Sequence, residues 1–375
     1  MIYFDNAATG GFKPFKSIDA AFNAMKNLNA NAGRSGHKLS LYASEIVYEA
    51  RCSLAKFFGA SPDRIVFTSS CTEALNVAIF GSYEKGCNVL TTVTEHNAVL
   101  RPLYELKRRG EISLTVIKPT VGGISVEDVK SNLLPNTKLV VLNAVSNVNG
   151  LENDVDGIGK LLKNLNVKFI VDGAQIAGHS EINVDNQLID AFCAAGHKGL
   201  LASQGIGILV LGKDANVSPL LFGGTGADSF SEFMPDYLPE KLEAGTLNLP
   251  AICSLKAGLE YIDGNEAYVS SQLFSLTENL ITRLARFPFI KIYSIPNKYG
   301  IVSFNHVDFP SQELAEILSQ KYDIAVRGGF HCAPLMHKYL KTDKLGSVRV
   351  SFAPQNTRRE INALISALKD LSLSF

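Results

Sequence analysis

The chain has 375 residues, of which 46% are apolar, and its 36 basic and 36 acidic side chains balance. This length and apolar content predict two domains with a substantial core, while the balanced charge argues against nucleic acid or a membrane surface as the main partner. No apolar run approaches the ~20 residues of a membrane span. The first residues, MIYFDNAATG, lack the basic and apolar regions of a secretory signal. We therefore expect a cytoplasmic protein.

Short apolar runs alternate with helical patterns from about residue 45 to residue 215. The runs RIVFTS, NVLTTV, SLTVIK, KLVVLNAV, KFIVDGA, AFCAAG and GIGILVLG are typical of strands buried on both faces. Helical stretches such as TEALNVAIF and DGIGKLLKNL lie between several of them. This alternation predicts an α/β fold with a mostly parallel sheet.

The pattern changes near EAGTLNLPAICSLKAGLEYI, where a helix leads into a smaller α+β unit. Its C-terminal helix is predicted from the capping box of Thr357 and Glu360 and from the apolar face that follows. We predict an N-terminal segment at residues 1–15 that packs on the small domain, a large domain at 16–248 and a small domain at 249–375.

The six cysteines form no C-x-x-C pair, so neither a zinc site nor a redox motif is predicted. In a reducing compartment most of them are expected to be buried thiols. Cys332 is different, because it lies in RGGFHCAPLM, where glycines and a proline indicate an exposed loop.

Lys198 follows a buried strand and stands among glycines in AAGHKGLLASQG. A lysine near apolar surface loses its proton more easily and can form a Schiff base, although a lone lysine is more often a solvated loop residue. Asp172, in FIVDGAQ, ends another strand, where ligands of open α/β sheets bind. An aspartate there is either a helix cap or the partner of a pyridine nitrogen in pyridoxal phosphate (PLP).

The stretch FTSSCTEALN predicts a strand, a polar turn and a helix. Ser70 and Glu73 have capping-box spacing, and the same helix N-terminus can bind a phosphate with help from Thr72. His96, in TEHNAVLRP, is either a surface histidine or a ring that stacks on a flat cofactor, and spacing does not decide between them.

The motifs DNAAT, SNVNG, DGAQ, AGHK, EAGTLN and RGGFHCAPL follow one another in this order from residue 5. In this order they resemble the motifs of the cysteine desulfurases, and the resemblance extends over nearly the whole chain. The cysteine desulfurases are class V enzymes within fold-type I of the PLP-dependent enzymes. The short loop with its His-Cys-Ala-Pro-Leu segment resembles the second, selenocysteine lyase-like group. The resemblance implies a fold-type I transferase with a large domain of mostly parallel mixed sheet.

The resemblance also implies roles for individual residues. Lys198 would bind PLP covalently and later move protons, Asp172 would pair with the pyridine nitrogen, Gln175 would bind the phenolate oxygen and His96 would stack on the ring. The phosphate would be held by Thr72, the backbone of Cys71, His197 and Thr246 of the other subunit of a homodimer. The substrate carboxylate would be bound by Asn147 and by Arg349, whose fork suits a carboxylate better than lysine does.

The implied reaction converts L-cysteine to L-alanine, with attack of the Cys332 thiolate on the substrate sulfur and transfer of the resulting persulfide to an acceptor protein. A free thiol is only a few per cent thiolate at neutral pH. The substrate ammonium or another proton acceptor could raise that fraction, and so could nearby positive charge. Arg327 and His331 are the nearest candidates in the sequence. A short loop predicts slow turnover without an acceptor.

Four positions depart from the family pattern. Ala195 stands where a phosphate-binding serine is common, the pair Ser70 and Cys71 replaces Gly-Thr or Thr-Thr, and Phe330 replaces a second histidine. Cys71 is expected near the phosphate, more as a packing residue than as a reactive one.

Other functions remain open at this level. A selenocysteine lyase or a cysteine sulfinate desulfinase would use the same frame. A class V aminotransferase would not need Cys332. A non-catalytic scaffold of the same fold would not need Lys198 and Cys332 together.

Overall fold

The computed structural model describes residues 1–373, which form two sheets with separate apolar cores and one short strand pair. The strands are β1 (Ile2–Tyr3), β2 (Ile65–Thr68), β3 (Asn88–Thr92), β4 (Ser113–Ile117), β5 (Thr137–Asn143), β6 (Lys168–Asp172), β7 (Ala191–Ala195), β8 (Gly207–Leu211), β9 (Ile290–Ile292), β10 (Ile301–His306), β11 (Ile324–Ala325) and β12 (Val348–Ser351).

Eleven α-helices connect and cover these strands within the described residues. They are α1 (Phe15–Asn27), α2 (Lys38–Phe58), α3 (Cys71–Ser82), α4 (Asn97–Arg108), α5 (Val126–Lys130), α6 (Val155–Asn164), α7 (Leu249–Ile262), α8 (Glu266–Leu284), α9 (Ser311–Tyr322), α10 (Pro334–Leu340) and α11 (Arg358–Leu373). No helix within residues 1–373 combines the length and the apolar character that crossing a membrane requires.

The large sheet has the strand order β2-β8-β7-β6-β5-β3-β4. Neighbours from β7 to β4 are parallel, and β8 is antiparallel to both β7 and β2. Except for the edge strand β4, of which only Ile117 is buried, the strands are almost entirely buried because helices cover both faces, which explains their continuous apolar runs. The predicted α/β class with a mostly parallel sheet is confirmed.

The smaller sheet is antiparallel with the order β12-β10-β9, and α8, α9 and α11 pack on it. The N-terminal strand β1 pairs with β11, so the first residues lie against this second core. Helix α7 contributes Leu255 and Ile262 to a core of the large sheet. The domain bounds stay a prediction, and the packing favours a boundary between α7 and α8 over one at residue 249.

The capping boxes show how sequence sets local structure. The backbone N–H of Glu360 donates to Thr357 Oγ1 at 3.3 Å, and the Glu360 carboxylate accepts from the Thr357 N–H at 2.6 Å, as predicted. At α3 the Glu73 N–H donates to Ser70 Oγ at 3.2 Å, but the Glu73 carboxylate accepts from the N–H of Ser69 instead of Ser70. The hydrogen bond of the predicted capping box that the Ser70 hydroxyl accepts is therefore present at α3. The one that the Glu73 carboxylate accepts comes from the residue before the cap.

Candidate active site

A cavity of about 220 Å³ lies where β3, β5, β6 and β7 end. Its walls come from both sheets, because carboxyl ends of parallel strands meet at one edge and β12 approaches that edge from the small sheet. Most of the predicted residues line it: Cys71, Thr72, His96, Asn147, Asp172, Gln175, His197, Lys198 and Arg349.

Lys198 follows β7 at the cavity wall. Burial lowers the pKa of its amine, and the nearby Asp172 carboxylate partly opposes that effect. The peptide before Lys198 is held in place, since the His197 carbonyl accepts from the Gly10 N–H at 3.1 Å and from Lys13 Nζ at 2.6 Å. The arrangement favours a fixed amine that loses its proton more readily than an exposed lysine does.

Asp172 is the last residue of β6 and is almost fully buried. Its Oδ1 accepts from the Ala174 N–H at 2.9 Å and from the Cys71 thiol at 3.7 Å. Burial raises the pKa of Asp172, while these donors and Lys198 act in the opposite direction. A cationic partner nearby stabilises the charged form of a buried carboxylate of this kind.

The Cys71 side chain contacts Asp172, the predicted partner of the ring nitrogen, through its Sγ. Its place near the phosphate stays a prediction. Burial raises the pKa of the Cys71 thiol well above its ordinary value, and Asp172 adds to the shift. The thiol is therefore protonated, which supports the prediction of a packing residue over a reactive one.

One wall of the cavity is suited to an anion. Helix α3 begins there, with Ser70 as its cap and with Thr72 in its first turn. His197 lies across from it, with Nδ1 at 3.0 Å from Thr9 Oγ1, and burial lowers the pKa of His197 to about 4. His197 is neutral at neutral pH and can offer its other ring nitrogen to a phosphate.

His96 caps α4, and its Nδ1 accepts from the Ala98 N–H at 3.0 Å. Because a backbone N–H only donates, the proton of the neutral ring sits on Nε2. Burial lowers the pKa of His96 to about 4, with Lys198 and Arg327 adding to the shift. The structure thus places a neutral ring of fixed orientation in the cavity wall.

Arg349, on β12, is 1% exposed. Its Nη1 donates to the Asn147 carbonyl at 2.9 Å and its Nη2 to Asp5 Oδ1 at 2.8 Å, while its Nε has no partner within residues 1–373. The Asn147 side chain donates to the His331 carbonyl at 2.8 Å and leaves its Oδ1 unpaired. Free N–H groups on a fixed guanidinium are what a carboxylate ligand requires.

Cys332 is exposed, in a segment between β11 and α10. His331 and Cys332 have φ values of 47° and 56°, a left-handed conformation that costs non-glycine residues roughly 1–2 kcal/mol each. Hydrogen bonds hold them there: Asn147 donates to the His331 carbonyl at 2.8 Å, and the Asn97 N–H donates to the Cys332 carbonyl at 2.7 Å. The loop is fixed against the cavity.

His331 was one of two candidates for the positive charge near Cys332, and its surroundings do not favour a charged ring. Its Nε2 lies 2.9 Å from the Ser347 carbonyl, and burial lowers the pKa of the ring well below 6.5. The ring is neutral at neutral pH because it has lost its hydration without gaining an anion. Arg327, which lines the cavity, remains the charged group of this pair.

Of the two remaining predicted residues, Gln175 lines the cavity and Thr246 does not. Gln175 lies in the cavity and donates from Nε2 to the Ala7 carbonyl at 3.0 Å, which leaves its second N–H available. Thr246 is exposed and outside this cavity, where its Oγ1 accepts from Asn31 at 3.3 Å. Its role towards another subunit stays a prediction.

Sequence reasoning missed Glu95. Its carboxyl is fully buried, Oε1 accepts from Thr92 Oγ1 at 2.6 Å and from the Asn143 N–H at 3.0 Å, and Oε2 has no partner within residues 1–373. Burial raises the pKa of Glu95 to about 8. The polar run TTVTE at the end of a buried strand is the one sequence signal for this network.

The residues present fit PLP. The cavity offers a helix N-terminus with Thr72 and His197 for a phosphate, and it offers the buried Asp172 for a protonated ring nitrogen. Lys198 lines the same cavity, and its amine is close enough to the Asp172 carboxylate for the two charges to interact.

Comparison with known proteins agrees with this geometry. The family described as Aminotransferase class-V matches residues 2–364. A probable cysteine desulfurase of Methanothermobacter thermautotrophicus is 33% identical, over 99% of this chain and 94% of its own length. A cysteine desulfurase of Haloferax volcanii is 31% identical, over 98% of this chain and 88% of its own.

Solved structures agree as well. The apo structure of the cysteine desulfurase of Thermococcus onnurineus superposes with a TM-score of 0.92 and 31% identity, and the match covers 100% of this chain and 95% of that one. The predicted class is confirmed, and this chain belongs to the aminotransferase class-V family.

Proposed function

We propose that this protein is a PLP-dependent cysteine desulfurase that converts L-cysteine to L-alanine and keeps the sulfur as a persulfide on Cys332. The observation that carries the proposal is the cavity that joins Lys198, Asp172 and Arg349 beside an exposed, fixed cysteine. The relatives named as cysteine desulfurases support the same reaction.

Each residue has a separate task. Lys198 would hold PLP through Nζ, Asp172 would keep the proton on the pyridine nitrogen, and Thr72 and His197 would bind the phosphate. His96 would contact the ring, and the free N–H of Gln175 would donate to the phenolate oxygen. PLP, when bound, withdraws electrons from the substrate α-carbon and makes its proton acidic.

Substrate binding and proton transfer fall to Arg349 and Lys198. Arg349 takes the carboxylate with its unpaired N–H groups, and Asn147 adds its second amide N–H. Once the substrate amine had displaced it from PLP, Lys198 Nζ would remove the α-proton and return protons later, which suits an amine whose pKa is lowered by burial.

Sulfur transfer is a displacement at the substrate sulfur. The Cys332 thiolate forms an S–S bond, the substrate C–S bond breaks, and the electron pair stays on the carbon skeleton, which is protonated to alanine. Arg327 supplies positive charge near the loop. Because the loop is fixed, we expect slow turnover until a sulfur-acceptor protein or a thiol reductant removes the persulfide.

The test compares Cys332→Ala with Cys52→Ala, a cysteine on α2 outside the cavity. Cys332→Ala should abolish alanine formation from L-cysteine yet keep the visible absorption of bound PLP, and Cys52→Ala should behave as wild type. Unchanged alanine formation in Cys332→Ala contradicts the assignment.

Cysteine sulfinate, selenocysteine, and alanine with a keto acid should be poorer substrates than L-cysteine.

The cofactor is tested separately. Borohydride should fix PLP irreversibly on the peptide that contains Lys198, and Lys198→Ala should carry no fixed PLP. A wild-type protein that stays colourless after incubation with PLP contradicts the cofactor assignment.

We also propose a homodimer with composite active sites. Helix α1 exposes Phe15, Ile18, Phe22 and Met25 on one face, and the segment 222–237 exposes Phe222, Phe230 and Phe233. Such apolar surface is more than a monomer commonly leaves in water. Sedimentation should give a dimer, and mixing Thr246→Ala with Lys198→Ala should restore activity, because one site of the mixed dimer then carries neither change.

A further inference from the structure

The N-terminal segment adjoins the cavity, which Ala7 and Ala8 line, and contacts the cavity residue Arg349. Asp5 Oδ1 accepts from Arg349 Nη2 at 2.8 Å, and the Asp5 side chain is about three-quarters buried. This contact is an ion pair between the first residues of the chain and the strand β12, which lies far away in sequence.

Asp5 itself is held on β12. Asp5 and Ser351 form a parallel bridge, the Ala7 N–H donates to Ser351 Oγ at 2.9 Å, and Asn6 Nδ2 donates to the Ser351 carbonyl at 2.9 Å. Ser351 lies two residues beyond Arg349, so both side chains lie on the same side of the strand. The carboxylate therefore stands at a fixed place relative to the guanidinium.

Two contacts on opposite sides fix the guanidinium plane. Nη2 is bound by Asp5 and Nη1 by the Asn147 carbonyl at 2.9 Å, and Nε remains unpaired in a side chain that is 1% exposed. Arg327 pairs with Arg349 in an antiparallel β-bridge, so two cationic side chains are close together. The charge of Arg327 disfavours the charged form of Arg349. Asp5 opposes this repulsion and keeps Arg349 in the cavity.

We propose that Asp5 is a positioning residue, which orients Arg349 for the α-carboxylate of the substrate. The proposal rests on the function proposed above, in which Arg349 binds that carboxylate. Asp5 touches neither substrate nor cofactor and acts through Arg349. It should therefore affect binding of ligands that carry a carboxylate, and not binding of PLP.

The experiment uses PLP-loaded protein and Asp5→Asn, which keeps the shape of the side chain and removes its charge. The dissociation constant of the product L-alanine, measured from the absorption of the bound cofactor, should rise about tenfold, as loss of one charge-assisted hydrogen bond predicts. The KM for L-cysteine should rise similarly and kcat should stay within about threefold. Binding of ethylamine, which lacks the carboxylate, should not change.

A matched control is Asp185→Asn. It removes another Arg–carboxylate pair, with Arg64 at 2.6 and 2.7 Å, in a place remote from the cavity residues. This variant should lower thermal stability without changing the L-alanine dissociation constant.

A double-mutant cycle tests whether Asp5 affects L-alanine binding through Arg349. In an Arg349→Lys background, Asp5→Asn should have no further effect on L-alanine binding, because Asp5 acts only through Arg349. Additive losses, or an unchanged or lowered L-alanine dissociation constant in Asp5→Asn alone, overturn the proposal. If Arg349→Lys itself leaves L-alanine binding unchanged, the carboxylate role of Arg349 fails and the proposed function must be revised.

Discussion

Glu95→Gln should stabilise the protein at neutral pH, although it replaces a buried group beside the candidate active site. The Glu95 carboxyl is fully buried, has no cationic partner among the described residues, and accepts hydrogen bonds only through Oε1. Burial raises its pKa to about 8, so the group is neutral at pH 7. A glutamine has nearly the same shape and can accept the same two hydrogen bonds through its amide oxygen.

The sign and size follow from proton linkage. The unfolded chain loses this proton near pH 4.5, and the folded protein keeps it up to about pH 8. Ionisation thus favours the unfolded state between these values, and stability falls as the pH rises through this window. At pH 7 the cost is about 3 kcal/mol, since one pKa unit corresponds to about 1.4 kcal/mol. Glutamine does not ionise, so the Glu95→Gln variant does not carry this cost.

The assay is thermal unfolding of wild type and Glu95→Gln from pH 5 to pH 9. The variant should match wild type near pH 5 and exceed its melting temperature by a margin that grows up to about pH 8. Glu243→Gln is the control, because Glu243 is buried but paired with Arg51 at 2.6 Å. It should be destabilised by about 3 kcal/mol. A melting difference for Glu95→Gln that is independent of pH refutes the idea of a neutral Glu95.

Three further predictions follow from local contacts. Gly207→Ala should raise the PLP dissociation constant at least about tenfold in an absorbance titration, because its Cβ would lie 2.2 Å from the backbone carbon of Ser70 at the start of α3. Ser70→Ala should lower the unfolding free energy by about 1 kcal/mol in urea through loss of the helix cap. Iodoacetamide should label Cys332 in the folded protein and leave Cys71 and Cys193 unlabelled by peptide mass spectrometry, because burial raises the pKa of both thiols.

The large sheet could be predicted because its signal is local. Runs such as KLVVLNAV and KFIVDGA are short, rich in β-branched residues and apolar at successive positions, which is typical of a strand covered on both faces. The ends of these runs carried the polar residues Asp172 and Lys198, and the parallel topology brings such ends together. The motif order then pointed to the family and to most cavity residues.

The remaining features depend on contacts that have no local signal. His331 has an ordinary sequence context, and its neutral state follows from burial against Ser347 in the folded chain. Cys71 lies at the first turn of α3, and only the packing of β6 beside it turns the thiol towards Asp172. Asp5 and Arg349 are separated by most of the chain, so their ion pair could not be read from either segment.

The Cys332 loop is the point where these long-range contacts matter most. Asn147 and Asn97 hold the carbonyls of His331 and Cys332 from the side of the large sheet, and Ser347 holds the His331 ring from the side of the small sheet. Two consecutive left-handed residues persist only where surrounding contacts offset their cost. The position of the thiol is therefore set by both sheets together. Lys198 and Asp172, in contrast, adjoin strands of the large sheet alone, so disturbing the contact between the sheets should impair sulfur transfer before it impairs cofactor binding.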